Sequence, residues 1–240
     1  YSVNDETVLL AGVQKGFAPP SPGNDKAEEE SSWNYEAGLR HTNSDFSMEA
    51  IAFYSDYSNM HGNCTASQGC DEDLIDNQYN AGEVVVSGFE LGFNTAWENN
   101  GLTIPFQLGY TYTSTEFQNA FDSSFDTWGD VVEGDELPYL PKHQAHASIG
   151  IEADGWRLSF AGRYMGELRT VAGQGSIEID DKIDSRFIID FAAHYQIAEN
   201  QELYLTLDNL LDKEYVASRV HGSAQPGKPR AAILGYKYQF

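Results

Sequence analysis

The side chains that could bind a small molecule lie mostly in long polar segments of this 240-residue sequence. The basic, imidazole and amide groups that stand out there are Lys26, Gln68, Arg169, Gln174, Lys182, Arg219, His221 and Gln225. An arginine fork can hold a carboxylate through two parallel hydrogen bonds, so the two arginines would suit an anionic ligand best. The alternative is that each cation only pairs with nearby acid on a solvated loop.

The chain offers little for catalysis or for a protein-bound metal. Its six histidines show no metal-ligand spacing beyond His143 and His146, which should fall on opposite faces of a strand. The G-x-S-x-G turn that presents a nucleophilic serine does not occur. We therefore expect neither an enzyme nor a cofactor or metal centre, although acidic loops leave open a bound divalent cation.

Cys64 and Cys70 are the two cysteines, and they bracket five small or polar residues. Two cysteines cannot form a zinc site alone. Their spacing favours a small disulfide loop in an oxidising compartment, with two free thiols as the alternative.

The charge balance excludes one class of partner. The net charge is −23, from 37 acidic and 14 basic side chains, which argues against binding nucleic acid. No apolar run approaches the roughly 20 residues of a transmembrane helix, but a barrel strand needs only about 9–11 residues with one apolar face. The first residues lack a signal peptide, so we expect processing or truncation to have removed one.

Alternation of apolar and polar residues predicts an all-β protein. In the last segment, Leu234, Tyr236 and Tyr238 share one face while Gly235 and Lys237 share the other. About ten such strands are predicted, at approximately 7–17, 32–42, 46–58, 89–97, 102–112, 145–151, 156–164, 187–197, 203–207 and 232–240.

The connections are sorted by length. Short turns at 42–45, 98–101, 153–155 and 198–201 alternate with long segments at 18–31, 59–80, 119–137, 169–182 and 217–227. Short periplasmic turns and long extracellular loops are typical of an antiparallel up-and-down transmembrane β-barrel. Aromatic residues near the strand ends predict two membrane-interface belts, with Phe46, Trp97, Trp156 and Phe240 at the short-turn end and Phe17, Tyr57, Tyr112, Tyr164 and Tyr215 at the other.

Several segments, taken in order, resemble a known family. They are Lys15–Pro20, Glu30–Arg40, Asn80–Gly82, Ser87–Leu91, Leu137–His143, Asp208–Tyr215, Gly227–Arg230 and the closing Tyr236-x-Tyr238-x-Phe240. Together they resemble the C-terminal part of a TonB-dependent outer-membrane receptor, and are most similar to the ferric dicitrate type. The resemblance implies that residues 1–240 are part of a barrel of about 22 strands, with the plug domain and first strands absent.

The resemblance also implies a function in the bacterial outer membrane. Such a receptor transports a ferric chelate, either ferric citrate or a siderophore, with energy from the TonB complex, and contacts membrane lipid and lipopolysaccharide. The expected ligand-binding residues in the extracellular loops are Arg219, His221, Arg169, Gln174, Gln68 and Lys26. The alternatives are a passive porin or a closed ten-strand outer-membrane protease.

Overall fold

The computed structural model describes residues 1–22, 28–63, 72–75, 78–80, 82–123, 125, 127–219 and 223–240. Five of the predicted site and disulfide residues therefore lie outside the described part of the chain, namely Lys26, Cys64, Gln68, Cys70 and His221.

Ten long strands form one antiparallel sheet in which neighbours along the chain pair in sequence order. In the numbering of all strands, they are β1 (Thr7–Ala18), β2 (Glu30–Thr42), β3 (Phe46–Ser58), β6 (Val84–Asn99), β7 (Leu102–Phe117), β10 (His143–Ala153), β11 (Trp156–Met165), β14 (Arg186–Ala198), β15 (Gln201–Asp208) and β18 (Ala231–Tyr238). The predicted all-β, antiparallel, up-and-down architecture is confirmed.

Short antiparallel ribbons occur in four of the long loops. They pair β4 (His61–Asn63) with β5 (Gln78–Asn80), β8 (Phe121–Asp122) with β9 (Asp130–Val131), β12 (Leu168–Arg169) with β13 (Lys182–Ile183), and β16 (Val216–Ser218) with β17 (Gln225–Pro226). A single turn of 3-10 helix spans Glu72–Leu74. Within the described residues, no helix is long or apolar enough to span a membrane.

The two faces of the sheet separate apolar from polar side chains. The register places Phe89 beside Tyr112 and Leu91 beside Tyr110, all partly exposed on one face, while Glu90 pairs with Thr111 on the other. A strand alternates its side chains between faces, so a period of two separates an apolar face from a polar one, as expected for the wall of a transmembrane barrel. We call these the outer face and the inner face.

The short turns are closed by asparagine and glycine. The Asn43 side-chain carbonyl accepts hydrogen bonds from the backbone N–H groups of Asp45 and Phe46, both at 2.9 Å. Asn100 and Gly101 both adopt positive φ, at 50° and 78°. Two consecutive residues of that kind match the twist of a tight β-hairpin.

Two details differ from the sequence-based expectation. The last long loop begins earlier than residue 217, because β15 ends at Asp208 and Asn209 turns the chain with φ of 49°. The aromatic belt predicted at the long-loop end of the strands also lacks two of its expected members. Tyr57 packs against buried residues of the extracellular loops, and Tyr215 lines a cleft between loops.

The extracellular loops have a hydrophobic core of their own. Its buried members are Val84, Phe117, Phe125, Trp128, Val131 and Leu137. Edge-to-face contacts join the Trp128 ring to the rings of Phe117 and Phe125, with centroids 6.3 Å and 5.1 Å apart. The long β7–β10 loop is therefore packed over the end of the sheet.

The sheet is open. Its order begins with β1 and ends with β18, and no pairing joins these two strands in the described structure. This argues against the closed ten-strand protease, which would need them to pair.

A cationic cleft at the outer mouth

Three basic side chains converge where the β11–β14 loop meets the β15–β18 loop. Lys182, Lys213 and Arg219 line a cavity of about 400 Å³ together with Asp184 and Tyr215. The Arg219 side chain is held in place by a hydrogen bond of 2.9 Å from its Nε to the backbone carbonyl of Lys182. We call this cavity the cationic cleft.

Asp184 is the acidic neighbour of these cations. Its carboxylate lies 2.8 Å from Lys182 Nζ. The hydrogen bond from Lys182 lowers the pKa of Asp184, and the charges of Lys182, Arg219 and Lys213 lower it further. The same hydrogen bond raises the pKa of Lys182. All three cations therefore act on one small volume, which the carboxylates of Asp184 and Glu214 also line.

Tyr215 forms one wall of the cleft and is fixed from both sides. The Arg186 guanidinium lies 5.1 Å from the centre of its ring. On the other side, a Cβ added to Gly227 would overlap the ring. Glycine is needed there because the backbone of the returning loop approaches an aromatic ring closely.

The base of the β15–β18 loop is tied together by Asn209, which is 2% exposed. Its side-chain amide donates to the carbonyls of Lys213 and Lys228, at 2.9 Å and 3.0 Å, and its side-chain oxygen accepts from Lys213 N–H at 2.9 Å. Its own N–H donates to Asp190, whose other oxygen pairs with Arg163 at 2.7 Å. The loop that carries Lys213 and Arg219 is thus anchored to the inner face of β11 and β14.

Two other predicted ligand residues join loops to each other. The Arg169 side chain, 7% exposed, lies 3.6 Å from Glu136 and donates to the Gly175 carbonyl at 3.2 Å. Gln174 donates to Asp135 at 3.3 Å. Both connect the β11–β14 loop to the β7–β10 loop. For Arg169, this agrees with the alternative that a loop cation only pairs with nearby acid. Their role in ligand binding stays a prediction.

Arg169→Gln is expected to loosen this connection. Shortening this buried side chain removes the hydrogen bond to the Gly175 carbonyl and the ion pair with Glu136, at a cost of about 1–3 kcal/mol. Limited proteolysis should then cleave the β11–β14 loop faster. Arg230→Gln, which disrupts an exposed ion pair with Asp212 (3.2 Å), should leave the cleavage rate unchanged. Equal rates for both variants and the unmodified protein would contradict the assignment.

The histidines do not assemble a site in the described part of the chain. His143 lies on the outer face, with its ring 2.8 Å from the Tyr110 hydroxyl, whereas His146 lies on the inner face over Gly109. No group of three or more His, Cys, Asp or Glu side chains is placed to hold a metal among the described residues.

Sequence reasoning found Arg219 and Lys182 as loop cations but missed the contributions of Lys213 and Tyr215. Both belong to the Asp208–Tyr215 segment, which carries the family resemblance and precedes the predicted loop at 217–227. The signal that points to them is Asn209, because an asparagine after a strand tolerates the left-handed turn that starts a loop.

Comparison with known proteins identifies the family. Residues 1–210 match the family model of the TonB dependent receptor-like β-barrel. Aligned over 243 residues, the chain is 26% identical to the metal-pseudopaline receptor CntO of Pseudomonas aeruginosa, covering 96% of this chain and 31% of that receptor. It is 24% identical to the vitamin B12 transporter BtuB of Photobacterium profundum, covering 92% and 34%. The chain thus spans about a third of the length of these relatives.

The fold is also similar to that of solved receptor structures. The siderophore receptor PiuA from Acinetobacter baumannii superposes with a TM-score of 0.74 at 19% identity, covering 99% of this chain and 34% of that one. Since the family model covers most of the sequence, the chain belongs to the TonB-dependent receptor-like β-barrel family.

Proposed function

We propose that this chain contributes to an outer-membrane transporter that captures an anionic ferric chelate, such as ferric citrate or a siderophore, in the cationic cleft. The observation that carries the proposal is the convergence of Lys182, Lys213 and Arg219 in a chain whose net charge is −23. The acidic groups elsewhere on the protein would repel an anion. A cluster of cations provides a local site where an anionic ligand can bind.

The names of the relatives support a chelate. CntO is named a receptor for metal-pseudopaline and PiuA a siderophore receptor. The cleft volume of about 400 Å³ lies within the range of small-molecule sites, roughly 300–1,000 Å³. Catalysis is not part of the proposal, which requires binding and passage only and no resident cofactor. A divalent cation held by the acidic loops stays a prediction.

The open sheet supports a larger barrel. β1 and β18 each leave one edge unpaired among the described strands. Backbone groups left unpaired in the hydrocarbon region cost several kcal/mol each, so a spanning barrel must pair both edges. Further strands would do so, consistent with about 22 strands around a plug. Energy from the TonB complex, and contacts with lipid and lipopolysaccharide, belong to the same proposal.

Arg219→Ala tests the capture site in the complete receptor, purified in detergent. Loss of a charge-assisted hydrogen bond costs about 1.5–3 kcal/mol, so the dissociation constant should rise about 10- to 100-fold. Quenching of intrinsic fluorescence would be followed while ferric citrate, a ferric catecholate and a ferric hydroxamate are titrated separately. The chelate that gives saturable quenching identifies the ligand class.

Arg230→Ala is the matched control, because this loop arginine pairs with Asp212 and does not line the cleft. It should bind as the unmodified receptor does. Saturable binding that is equally tight in both variants would exclude the cleft, and an absence of binding by all three ferric chelates would refute chelate capture. If only a chelate other than citrate binds, ferric citrate is excluded.

A further inference from the structure

A groove crosses the outer face of β1, β2 and β3. Ala11 pairs with Ala37 and Ala37 with Ala52, and Ala52 also pairs with Phe89 of the outer face. Directly paired residues lie on the same side of a sheet, so all three alanines face outward. We call the depression of about 470 Å³ that they leave the outer groove. The outer-face side chains that line it are Ala11, Val13, Tyr35, Ala37, Ala52 and Tyr54.

One wall of the outer groove is a row of larger apolar side chains. The rings of Tyr35 and Tyr54 pack with their centroids 6.2 Å apart, and Val13 extends the row by pairing with Tyr35. The described lining includes one carboxylate, Glu36, but this residue alternates with Tyr35 and Ala37 and directs its side chain to the inner face. The outer groove therefore offers an apolar surface on which a hydrocarbon chain can pack.

A cation lies next to the outer groove on β1. Lys15 follows Val13 on the same face, and its Nζ lies 5.8 Å from the centre of the Trp33 ring, which favours this position of the ammonium. None of the ion pairs between described residues includes Lys15. Asp56 occupies the same row but lies two strands away, at about 10 Å by the usual strand spacing. Lys15 is therefore open to an external anion.

The position of Lys15 along β1 places it near the extracellular boundary of the membrane. Thr7, at the short-turn end of the strand, precedes Lys15 by eight residues. Eight residues span about 26 Å along a strand, or about 20 Å across the membrane at the usual tilt. The apolar band of such barrels is about 25 Å tall. Lys15 thus lies at the level of the lipid headgroups of the outer leaflet, and the outer groove lies below it among the acyl chains.

These features fit a phosphorylated lipid better than a protein partner. An acyl chain would fill the apolar groove while the Lys15 ammonium binds a headgroup phosphate, which is a charge-assisted contact. A second copy of this chain fits less well. A two-fold symmetric contact through the outer groove would bring Lys15 close to the same lysine of the other copy, and like charges repel.

We propose that the outer groove holds an acyl chain of lipopolysaccharide and that Lys15 binds a phosphate of its lipid A headgroup. This inference rests on the proposed function, because it assigns a site to the lipopolysaccharide contact named there. It does not require chelate capture in the cationic cleft, so either proposal can fail without the other.

Lys15→Gln tests the headgroup contact in the complete receptor, freed of lipid in detergent. Lipid A would be titrated and its binding followed by native mass spectrometry. The dissociation constant should rise about fivefold, as expected for one lysine lost at a membrane surface. Lys15→Arg keeps the charge and should bind as the unmodified receptor does. Lys237→Gln, which removes a lysine from the inner face of β18, should have no effect. Lipid A without phosphates should bind Lys15→Gln and the unmodified receptor equally weakly.

Ala37→Trp tests the acyl-chain contact by filling the floor of the outer groove. Displacing several methylene groups should weaken lipid A binding at least tenfold. The barrel should still fold, because the new side chain is apolar and faces lipid. Ala193→Trp is the matched control, since it places the same side chain on the outer face of β14, away from the outer groove. It should bind lipid A normally.

Three results would overturn the proposal. The first is equal affinity for lipid A in Lys15→Gln, Ala37→Trp and the unmodified receptor. The second is equal binding of phosphatidylglycerol and lipid A, which would indicate unspecific lipid contact. The third is a changed oligomeric state of Ala37→Trp with unchanged lipid affinity, which would assign the outer groove to a protein contact. Chelate binding by Lys15→Gln should match that of the unmodified receptor. A receptor that binds lipid A but no chelate would refute chelate capture alone.

Discussion

Asn209→Ala is expected to detach the base of the β15–β18 loop and raise backbone exchange there by about 100-fold. The substitution removes the bonds to Lys213 and Lys228, and buried groups left unsatisfied cost about 1–3 kcal/mol. Alanine also disfavours the left-handed backbone by about 1–2 kcal/mol. A combined loss of about 3 kcal/mol corresponds to roughly 100-fold more frequent opening. Hydrogen exchange at the Leu210 amide, which donates to the Ile189 carbonyl at 2.7 Å, measures it.

Asn100→Ala is the control for the cost of placing alanine in the left-handed backbone conformation. Asn100 has a similar φ of 50°, but it is exposed in a short turn far from the loop. Its replacement should affect only that turn. Asn209→Asp should open the loop at least as much, because aspartate loses both donated hydrogen bonds and places a carboxylate oxygen against the Lys213 and Lys228 carbonyls. If Asn209→Ala left exchange at the Leu210 amide unchanged, the Asn209 side chain would not be the anchor.

Phe117→Ala is expected to cost the extracellular loops about 3–5 kcal/mol, the usual cost of deleting a buried aromatic side chain. Phe117 is fully buried, and its ring contacts those of Phe121 and Trp128. The cavity left behind would weaken the packing that holds the β7–β10 loop over the sheet. Chymotrypsin added to intact cells should then cut within residues 118–142 much faster, while the membrane-spanning strands resist.

Leu140→Ala is the matched control, because Leu140 belongs to the same loop and is 43% exposed. It should alter cleavage little. Phe117→Leu, which keeps most of the apolar volume, should fall between the two. Equal protection of Phe117→Ala and Leu140→Ala would mean that the aromatic cluster does not stabilise the loop.

Period-two alternation and connection lengths were enough to predict the ten strands, their faces and their up-and-down order. Both signals are local. Phe89 and Leu91 against Glu90 define the two faces, and Asn100-Gly101 defines a tight turn without any knowledge of the rest of the chain. The family match confirms the predicted family and its location in the bacterial outer membrane.

The positions of the loop residues were predicted less well from the sequence. Tyr57 and Tyr215 have the composition expected of a membrane-interface belt, yet both pack among the loops. Their placement depends on which loops pack together, and loop packing is a long-range property. Arg169 likewise has the sequence context of an exposed loop cation, but the β7–β10 loop covers it and supplies Glu136. The local sequence pattern does not show whether another loop will cover a given residue.

The sequence by itself therefore determined the strands, the polarity of each face and the available loop cations. Only the tertiary structure decided which cations meet. Lys182, Lys213 and Arg219 come from two loops separated by β14 and β15, and they converge because Asn209 folds the second loop back onto the first. Alternation is fixed by the geometry of a single strand, whereas a binding cleft arises from contacts between segments far apart in the chain.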